Sequence, residues 1–367
     1  MIVAKAADHG PLEEESKAFH AALRAQQPAR KKARVNQVKE IKNAHELKIS
    51  NFSRDVIAII MGFGATPNLA RTCKRFHEIF NQSAASQSVR WMVHKKKIDA
   101  FIASKRNRYN ICLEGASSED WTKILARFPE IRALRLVNCH QIVDLSVITG
   151  ASKLHSLDIM SYRGIIDAFV FAMIFNLQTL CLRGCDGVKD LAPLIFAQKL
   201  CRVYVMGCDG IIDVAPLAKI PSLRLLTLHS CDRIRDVSAL AHAPNLEILN
   251  LTFCEGVTDV SVLANAPKLR VLDLSFCGKV KDVSALAHIP SLQTLLLSYC
   301  WRITDVSAFH LALNLHHLVL KECRRITRIL GLARAPKLHT IDMTGCYGVK
   351  DLPTLRRKAP RLRIIGP

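Results

Sequence analysis

Cysteine recurs at a fixed interval of 23 residues along most of this chain. Nine cysteines obey the interval: Cys139, Cys185, Cys208, Cys231, Cys254, Cys277, Cys300, Cys323 and Cys346. Tyr162 occupies the one point of this series that is not a cysteine. A constant period of this length predicts a solenoid, in which each repeat packs only against its neighbours.

Other residues keep the same register around each cysteine. Aliphatic residues stand five and three positions before it and three positions after it, and an aspartate stands five positions after it in nine repeats. The alternating L-x-L segment predicts a short strand with one buried face. Asp-Val-Ser-Ala-Leu-Ala at 282–287 predicts a helix cap followed by one or two turns of α- or 3-10 helix.

The motif L-x-x-L-x-L-x-x-C-x-x-[IV]-x-D-[VL]-S resembles a leucine-rich repeat, close to the cysteine-containing and internalin-like types, over about residues 109–367. The resemblance implies an α/β solenoid of short parallel strands and short convex helices, with the strands on a concave binding side. We assign ten 23-residue repeats to 131–367. Residues 93–130 are interpreted as a linker and a solenoid cap, with a strand at Tyr109–Leu113 and a helix at Trp121–Phe128.

The cysteine and aspartate columns could each bind metal ions. We favour structural roles, because a small thiol fills the turn after a strand and an aspartate caps the helix that follows. Calcium needs six to eight converging oxygens, and one aspartate per repeat does not supply them. We therefore expect no metal and no cofactor, and we expect the thiols to be reduced.

Charge is concentrated near the N-terminus. The chain has 52 basic and 31 acidic residues, and 21 of the basic but only 9 of the acidic ones lie in residues 1–110. We interpret 1–46 as a flexible basic arm. Its tract Arg30, Lys31, Lys32 and Arg34 resembles a nuclear-import signal, the alternative being a solvated charge run. No uncharged apolar run reaches 18 residues, so we expect a cytoplasmic or nuclear protein without a membrane span.

Residues 47–92 carry two helix-like apolar patterns. Val56, Ile60 and Phe63 share one helical face, and Leu69, Cys73, Phe76 and Phe80 share another. The stretch resembles an F-box, most clearly at Cys73-Lys-Arg-Phe76, although Ser53 stands where that family has proline. The alternative is a helical cap of the solenoid. The resemblance implies a small all-α domain whose residues contact a Skp-type adaptor: Phe52, Asp55, Val56, Ile59, Ile60, Phe63, Leu69 and Phe76.

The expected concave columns hold a mixed set of side chains, which suits a protein target better than a uniform polyanion. Three consecutive repeats have an aromatic residue immediately before the cysteine, and basic residues surround them. Aromatic residues and arginine are enriched at interface hot spots. The candidate target-binding residues are Tyr204, Met206, His229, Phe253, Phe276, Tyr299, Trp301, Arg302, Arg324 and Arg325. The alternative is an aromatic ladder that packs on itself beneath a solvated basic rim.

No nucleotide-binding, hydrolase or metalloprotease motif occurs, so we do not expect an enzyme. The leading hypothesis, implied by the resemblance, is the substrate-recognition subunit of a cullin-RING ubiquitin ligase, with a Skp-type adaptor, a cullin and a target protein as partners. The alternative is a leucine-rich-repeat interaction scaffold without a ligase. Nucleic-acid association through the basic arm is a third hypothesis, which the mixed charges of the solenoid disfavour.

Overall fold

The computed structural model describes residues 92–94, 98–102, 110–142, 144–162, 164 and 166–366. All of them belong to the unit Ala84–Pro367, the second of two units into which the chain divides. The predicted basic arm, import signal and adaptor-binding residues lie outside the described residues.

The described residues form one parallel sheet whose thirteen strands follow one another in chain order. The strands are β1 Met92–His94, β2 Asn110–Glu114, β3 Ala133–Val137, β4 Ser156–Met160, β5 Thr179–Arg183, β6 Arg202–Met206, β7 Leu225–His229, β8 Ile248–Asn250, β9 Val271–Asp273, β10 Thr294–Leu296, β11 His317–Val319, β12 Thr340–Asp342 and β13 Arg363–Ile365. Equivalent positions of successive repeats pair directly, as Leu249 does with Leu272 and Leu272 with Leu295. The 23-residue period is therefore the register of the sheet.

The sheet begins before the first repeat expected from the sequence, which starts at residue 131. Strand β2 pairs with β3 along five residues, with Ile111 opposite Leu134, and β1 pairs with β2. Residues 110–114 thus form a full strand although the cysteine motif is absent from them. Main-chain hydrogen bonds carry this pairing, and they do not require the repeat consensus.

The core is a stack of aliphatic layers running along the solenoid. Leu249, Leu251 and Val257 represent one layer, and all three are fully buried. Each such side chain contributes roughly 1.5–3 kcal/mol relative to exposure. Because a repeat buries these groups against its two neighbours, no single repeat can form this core alone.

Short helices return the chain between strands. The α-helices are α1 Ile98–Ile102, α2 Ser118–Arg127, α3 Phe169–Ala172, α4 Ala215–Ala218 and α5 Leu352–Lys358. The 3-10 helices are Leu145–Gly150, Ala192–Phe196, Ser238–His242, Ser261–Asn265, Ser284–His288, Ser307–Leu311 and Leu330–Arg334. Helix α2 confirms the helix predicted at Trp121–Phe128. It starts with a capping box between Ser117 and Asp120, and Nε1 of the buried Trp121 donates to the Val147 carbonyl at 2.7 Å.

The aspartate column hydrogen-bonds the start of the returning segments; Asp144 is the predicted N-cap of Leu145–Gly150, whereas Asp236, Asp259 and Asp282 stand one residue before the N-cap. Oδ1 of Asp236 accepts the N–H of Ser238 at 2.8 Å, and Asp259 and Asp282 make the equivalent bonds. These hydrogen bonds favour the carboxylate, so they hold the pKa of Asp236 and Asp259 below the usual value. Arg328 replaces the aspartate in one repeat, and its guanidinium lies 3.6 Å from Asp305 of the preceding repeat.

The cysteine column faces inward, and the described cysteines are free thiols. Each repeat thiol donates to the carbonyl oxygen of the residue 26 positions earlier, which belongs to the preceding repeat. Cys254 contacts the carbonyl oxygen of Leu228 at 2.6 Å, and Cys323 contacts that of Leu297 at 2.9 Å. Burial raises the pKa of the Cys323 thiol to about 12. Within the described residues, no group of three or more His, Cys, Asp or Glu side chains could hold a metal ion.

Tyr162 takes the place of a cysteine and is also buried. Its hydroxyl donates to the carbonyl of Ile142. The substitution therefore keeps a buried side chain that donates to main chain, with a larger ring in place of the thiol.

Among the helices that the structure describes, none combines the length and apolar character needed to cross a membrane.

Candidate concave binding surface

Side chains alternate across the strands between the core and the concave face. In β6, Val203 and Val205 are buried, whereas Tyr204 and Met206 are partly exposed. Met206 pairs in register with His229 of β7. Three of the candidate residues from the sequence thus lie on two neighbouring strands of this face.

The residue immediately before each repeat cysteine has a left-handed backbone. This holds for Asn138, Ser161, Gly184, Gly207, Ser230, Phe253, Phe276, Tyr299, Glu322 and Gly345, whose φ angles lie between +52° and +80°. The turn at this position ends the strand and directs the following cysteine into the core. Glycine adopts this conformation without steric cost, and asparagine adopts it readily.

Phe253, Phe276 and Tyr299 have φ angles of +61°, +63° and +61°. A left-handed conformation costs roughly 1–2 kcal/mol for a residue with a Cβ, and bulky residues in it are uncommon. Sequence analysis did not detect this turn. A signal was present, because Asn138, Gly184, Gly207 and Gly345 occupy the same column.

The three aromatic rings form a continuous stack. The ring centroids of Phe253 and Phe276 are 4.0 Å apart at an interplanar angle of 15°, and those of Phe276 and Tyr299 are 4.4 Å apart at 10°. His229 meets Phe253 edge-on, with centroids 5.4 Å apart. We call His229, Phe253, Phe276 and Tyr299 the aromatic row. The row begins at His229, the last residue of β7 on the concave face. It continues through the residues that follow the strands of the next three repeats.

Trp301 lies beyond the strand, two residues after Tyr299. Its indole packs over Gly278, the equivalent residue of the preceding repeat: a methyl group on Gly278 would come within 2.1 Å of Cζ2. The Trp301 side chain nevertheless remains 49% exposed. Because Gly278 has no side chain, the large and half-exposed indole ring of Trp301 can lie against the surface at this position.

The residue that follows the cysteine stops being acidic part-way along the solenoid, although Lys189, Arg233 and Arg235 already supply cations to the first loops. The first residue after the cysteine is acidic in four consecutive repeats: Asp186, Asp209, Asp232 and Glu255. In the next three repeats, residues 278–281, 301–304 and 324–327 contain no acid and five cations: Lys279, Lys281, Arg302, Arg324 and Arg325. We call these three segments the basic loops.

Two of the four acidic residues, Asp186 and Asp232, accept hydrogen bonds from the main chain of the next repeat. Oδ1 of Asp186 accepts the N–H of Asp209 at 3.0 Å, and Oδ1 of Asp232 lies 3.4 Å from the N–H of Glu255. Desolvation, with the neighbouring carboxylates Asp186 and Asp232, raises the pKa of Asp209. Burial is the larger cause, and the two neighbouring carboxylates add to it.

The cations of the basic loops are fully exposed, and most have no partner. Arg324 donates from Nε to Glu322 at 2.9 Å. Lys279, Lys281, Arg302 and Arg325 form no side-chain hydrogen bond or ion pair with other described residues. This end of the solenoid therefore presents uncompensated positive charge beside the aromatic row.

A separate charged group lies on the concave face nearer the N-terminus. Nε of Arg135 donates to Oδ2 of the buried Asp158 at 2.7 Å, and Nε of Arg183 lies 3.6 Å from Oδ1 of Asp158. Arg183 also donates to the Cys181 thiol at 3.1 Å. Arg135 and Asp158 occupy the same column of successive repeats and pair in register, whereas Arg183 joins them from another column.

The structure groups the target-binding candidates unequally. Met206, His229, Phe253, Phe276 and Tyr299 form a connected series, and Trp301 and Arg302 follow directly on a basic loop. Arg324 and Arg325 belong to the next loop. Tyr204 is further inside the face, where it pairs in register with Cys181 and Thr227.

Comparison with known proteins agrees with this geometry. A family profile described as "Leucine Rich repeat" matches residues 242–264 and 265–287. These residues are leucine-rich repeats. The sheet extends the same 23-residue register through β13, so the described unit is a leucine-rich-repeat solenoid. None of the curated proteins to which the sequence was compared matches it.

Solved structures share the fold at low identity. A chain of the Drosophila Toll–Spatzle complex is 18% identical, with a TM-score of 0.51, over 66% of this chain and 37% of that chain. A chain of the mouse RP105/MD-1 complex is 14% identical, with a TM-score of 0.51, over 75% of this chain and 57% of that chain. An internalin (InlF) from Listeria monocytogenes is 15% identical, with a TM-score of 0.47, over 74% of this chain and 93% of the internalin.

Proposed function

We propose that this leucine-rich-repeat chain is a non-catalytic interaction protein that binds a partner protein along the aromatic row. The observation that supports the proposal is the set of three consecutive aromatic residues held at positive φ. Glycine would satisfy the turn without strain, as Gly184 and Gly207 do. The positive φ recurs in every repeat, but only these three consecutive repeats place bulky aromatic side chains there, where such residues are uncommon.

The stack also suits the aromatic row to binding. Rings held by their neighbours lose little side-chain freedom when a partner docks, which reduces the entropic cost of association. Large aromatic side chains supply much of the binding energy at protein interfaces. The Toll–Spatzle and RP105/MD-1 structures are both described as complexes. We extend this use of the fold to the present chain as part of the proposal.

Quantitative affinity capture from cells that express the protein tests this function. We expect Phe253→Ala/Phe276→Ala/Tyr299→Ala to reduce recovery of the main captured protein at least tenfold. The matched control is Phe175→Ala/Phe196→Ala/Leu313→Ala, which removes three large apolar side chains that are more exposed than the row, at 76%, 61% and 68%. Equal recovery with both folded variants would contradict the proposal.

A second candidate function is the substrate receptor of a cullin-RING ubiquitin ligase. It is supported by the sequence of residues 52–76, where Val56, Ile60 and Phe63 recur at a helix-like spacing and Cys73-Lys-Arg-Phe76 resembles the end of an F-box. In this function the chain performs no chemistry. It raises the local concentration of target lysines near a ubiquitin-conjugating enzyme.

Binding of a purified Skp-type adaptor and cullin to the full-length chain tests this candidate. We expect Val56→Asp/Ile60→Asp to abolish adaptor binding, and deletion of residues 1–92 to do the same. Phe276→Ala serves as the control, because it lies in the solenoid and should leave adaptor binding unchanged. A folded full-length chain that binds no adaptor would leave the interaction protein as the function.

A further inference from the structure

We infer that the basic loops bind an extended acidic segment of the partner protein, laid along the exposed edges of the aromatic row. The inference rests on the proposed function and adds the chemistry of the partner. It follows from three observations that concern different residues: the unpaired cations, the exposed ring edges and the change in charge along the loops.

The first observation is the uncompensated charge. Lys279, Lys281, Arg302 and Arg325 are exposed and form no ion pair with other described residues. By contrast, Arg328 lies 3.6 Å from Asp305 and Lys321 lies 3.4 Å from Asp342. The loops therefore keep free cations although carboxylates neutralise other cations nearby. Such a patch favours an anionic partner and accelerates its association.

The second observation is the orientation of the rings. Phe253, Phe276 and Tyr299 stack at 4.0 and 4.4 Å, which leaves no gap into which a planar group could insert. Only ring edges can meet a partner along the stack. Aromatic edges carry partial positive charge and accept contacts from carboxylate and carbonyl oxygens as well as from apolar groups. Nucleic-acid bases need free ring faces, so this arrangement favours a polypeptide.

The third observation concerns position. Asp186, Asp209, Asp232 and Glu255 form an acidic edge, interrupted by Arg233 and Arg235, that ends where the basic loops begin. The carboxylates of this edge disfavour an acidic segment, and the basic loops, which contain no acid, attract it. The boundary between Glu255 and Lys279 therefore limits where the segment can lie, and it places the segment beside Phe276 and Tyr299.

Selection from a random-sequence peptide phage library on the immobilised full-length chain tests the inference without a known partner. We expect the selected peptides to be enriched in Asp and Glu beside apolar residues. Their binding should weaken at least tenfold between 50 mM and 500 mM salt. The charge-reversal variant Lys279→Glu/Arg302→Glu/Arg325→Glu should lose these peptides.

The matched control is Lys219→Glu/Arg334→Glu/Lys358→Glu. It reverses three exposed cations at the ends of α4, the 3-10 helix Leu330–Arg334 and α5, and it changes the net charge equally. It should retain the acidic peptides. Selection of neutral or basic peptides, selection of none, or equal binding by the two charge variants would overturn the inference.

Two further measurements separate other occupants. Binding of a 20-nucleotide single-stranded DNA with the same dependence on Lys279, Arg302 and Arg325 would overturn the inference in favour of nucleic acid. Salt-sensitive dimerisation lost in the charge-reversal variant would overturn it in favour of a second copy, whose acidic edge would fill the site. If alanine substitutions in the aromatic row abolish partner capture but charge reversal does not, the proposed function stands and the inference fails.

Discussion

The rings of Phe253 and Phe276 stack 4.0 Å apart although both residues have a left-handed backbone. Stacking is worth about 0.5–1.5 kcal/mol for each pair beyond burial, and the left-handed conformation costs about 1–2 kcal/mol for each residue. Over the three residues, the two stacked pairs gain about 1–3 kcal/mol and the three left-handed conformations cost about 3–6 kcal/mol. Stacking therefore does not offset the strain, which is why we assign the row to binding.

Phe276 permits a direct test of this balance. We expect Phe276→Gly to be more stable than Phe276→Ala by about 1 kcal/mol, because glycine relieves the strain and alanine retains it. Urea unfolding of both variants measures the difference. The comparison Ser298→Gly against Ser298→Ala is the control, since Ser298 has no positive φ and alanine should be the more stable there. The same order at both positions would contradict the left-handed assignment.

Tyr162 tests whether the repeat consensus determines stability. Tyr162→Cys restores the cysteine column, yet we expect it to destabilise the chain by about 2–5 kcal/mol, because the surrounding core has closed around a buried ring. Tyr162→Phe keeps the ring and loses only the hydrogen bond to Ile142, at a cost of about 1–3 kcal/mol. Thermal and urea unfolding give both values. A Cys variant more stable than the Phe variant would contradict this packing.

The period of the cysteines was sufficient to predict the solenoid, the inward thiols and the capping aspartates, because each of these roles recurs with the same residue type. The left-handed turn was missed because its column contains Asn, Ser, Gly, Phe, Tyr and Glu, and a period does not carry the sign of φ. Strand β2 agrees within one residue with the strand predicted at Tyr109–Leu113, whereas β1 was not predicted because main-chain pairing continues where the consensus is absent.

The candidate surface was only partly predictable for a similar reason. The aromatic residues and the basic residues could be identified by their columns, but their contacts depend on rotamers. The packing of Trp301 over Gly278 and the pairing of Arg324 with Glu322 follow from geometry rather than spacing. In the buried group, the 23-residue period places Arg135 beside Asp158, but the addition of Arg183 two residues out of register does not follow from spacing.

That buried group gives the third prediction. Asp158→Ala leaves two guanidinium groups without their shared carboxylate, and we expect a loss of about 3–5 kcal/mol. The double-mutant cycle with Arg135→Ala measures the coupling by urea unfolding. The control pair is Arg224 and Glu247, which lie 2.9 Å apart but are far more exposed, so its cycle should give at most about 1 kcal/mol. Equal coupling in both cycles would show that Asp158 is not buried.

The capping aspartates predict how the stability of the fold changes at acid pH. The pKa values of Asp236 and Asp259 are lowered in the folded chain, so their contribution is present at neutral pH and is lost as the pH falls through the folded values, below about 4. Asp236→Asn/Asp259→Asn should therefore be less stable than the parent at pH 7, and the difference should shrink as the pH is lowered toward acid values. Urea midpoints at the two pH values measure the difference. The raised pKa of Asp273 acts in the opposite direction, but it is common to both proteins and cancels.

Gly278 gives a prediction that can be followed by fluorescence. In Gly278→Ala the new methyl group would overlap the Trp301 ring, so we expect the ring to turn outward and become more accessible to iodide. Because the far end of a half-exposed side chain moves, stability should change by less than about 1 kcal/mol. Trp301→Phe/Gly278→Ala is the control, in which the added quenching should disappear. Unchanged quenching in Gly278→Ala would contradict the contact.

The column of buried cysteines makes the local unfolding of individual repeats measurable by thiol labelling. Each repeat cysteine is buried, and burial raises the pKa of thiols such as Cys231 to about 11, so a closed repeat hides its sulfur from alkylating reagents. A thiol reacts only when its own repeat opens. Labelling times read by mass spectrometry would therefore map, at 23-residue resolution, the order in which the array loosens. The same map would show which repeats a bound partner protects.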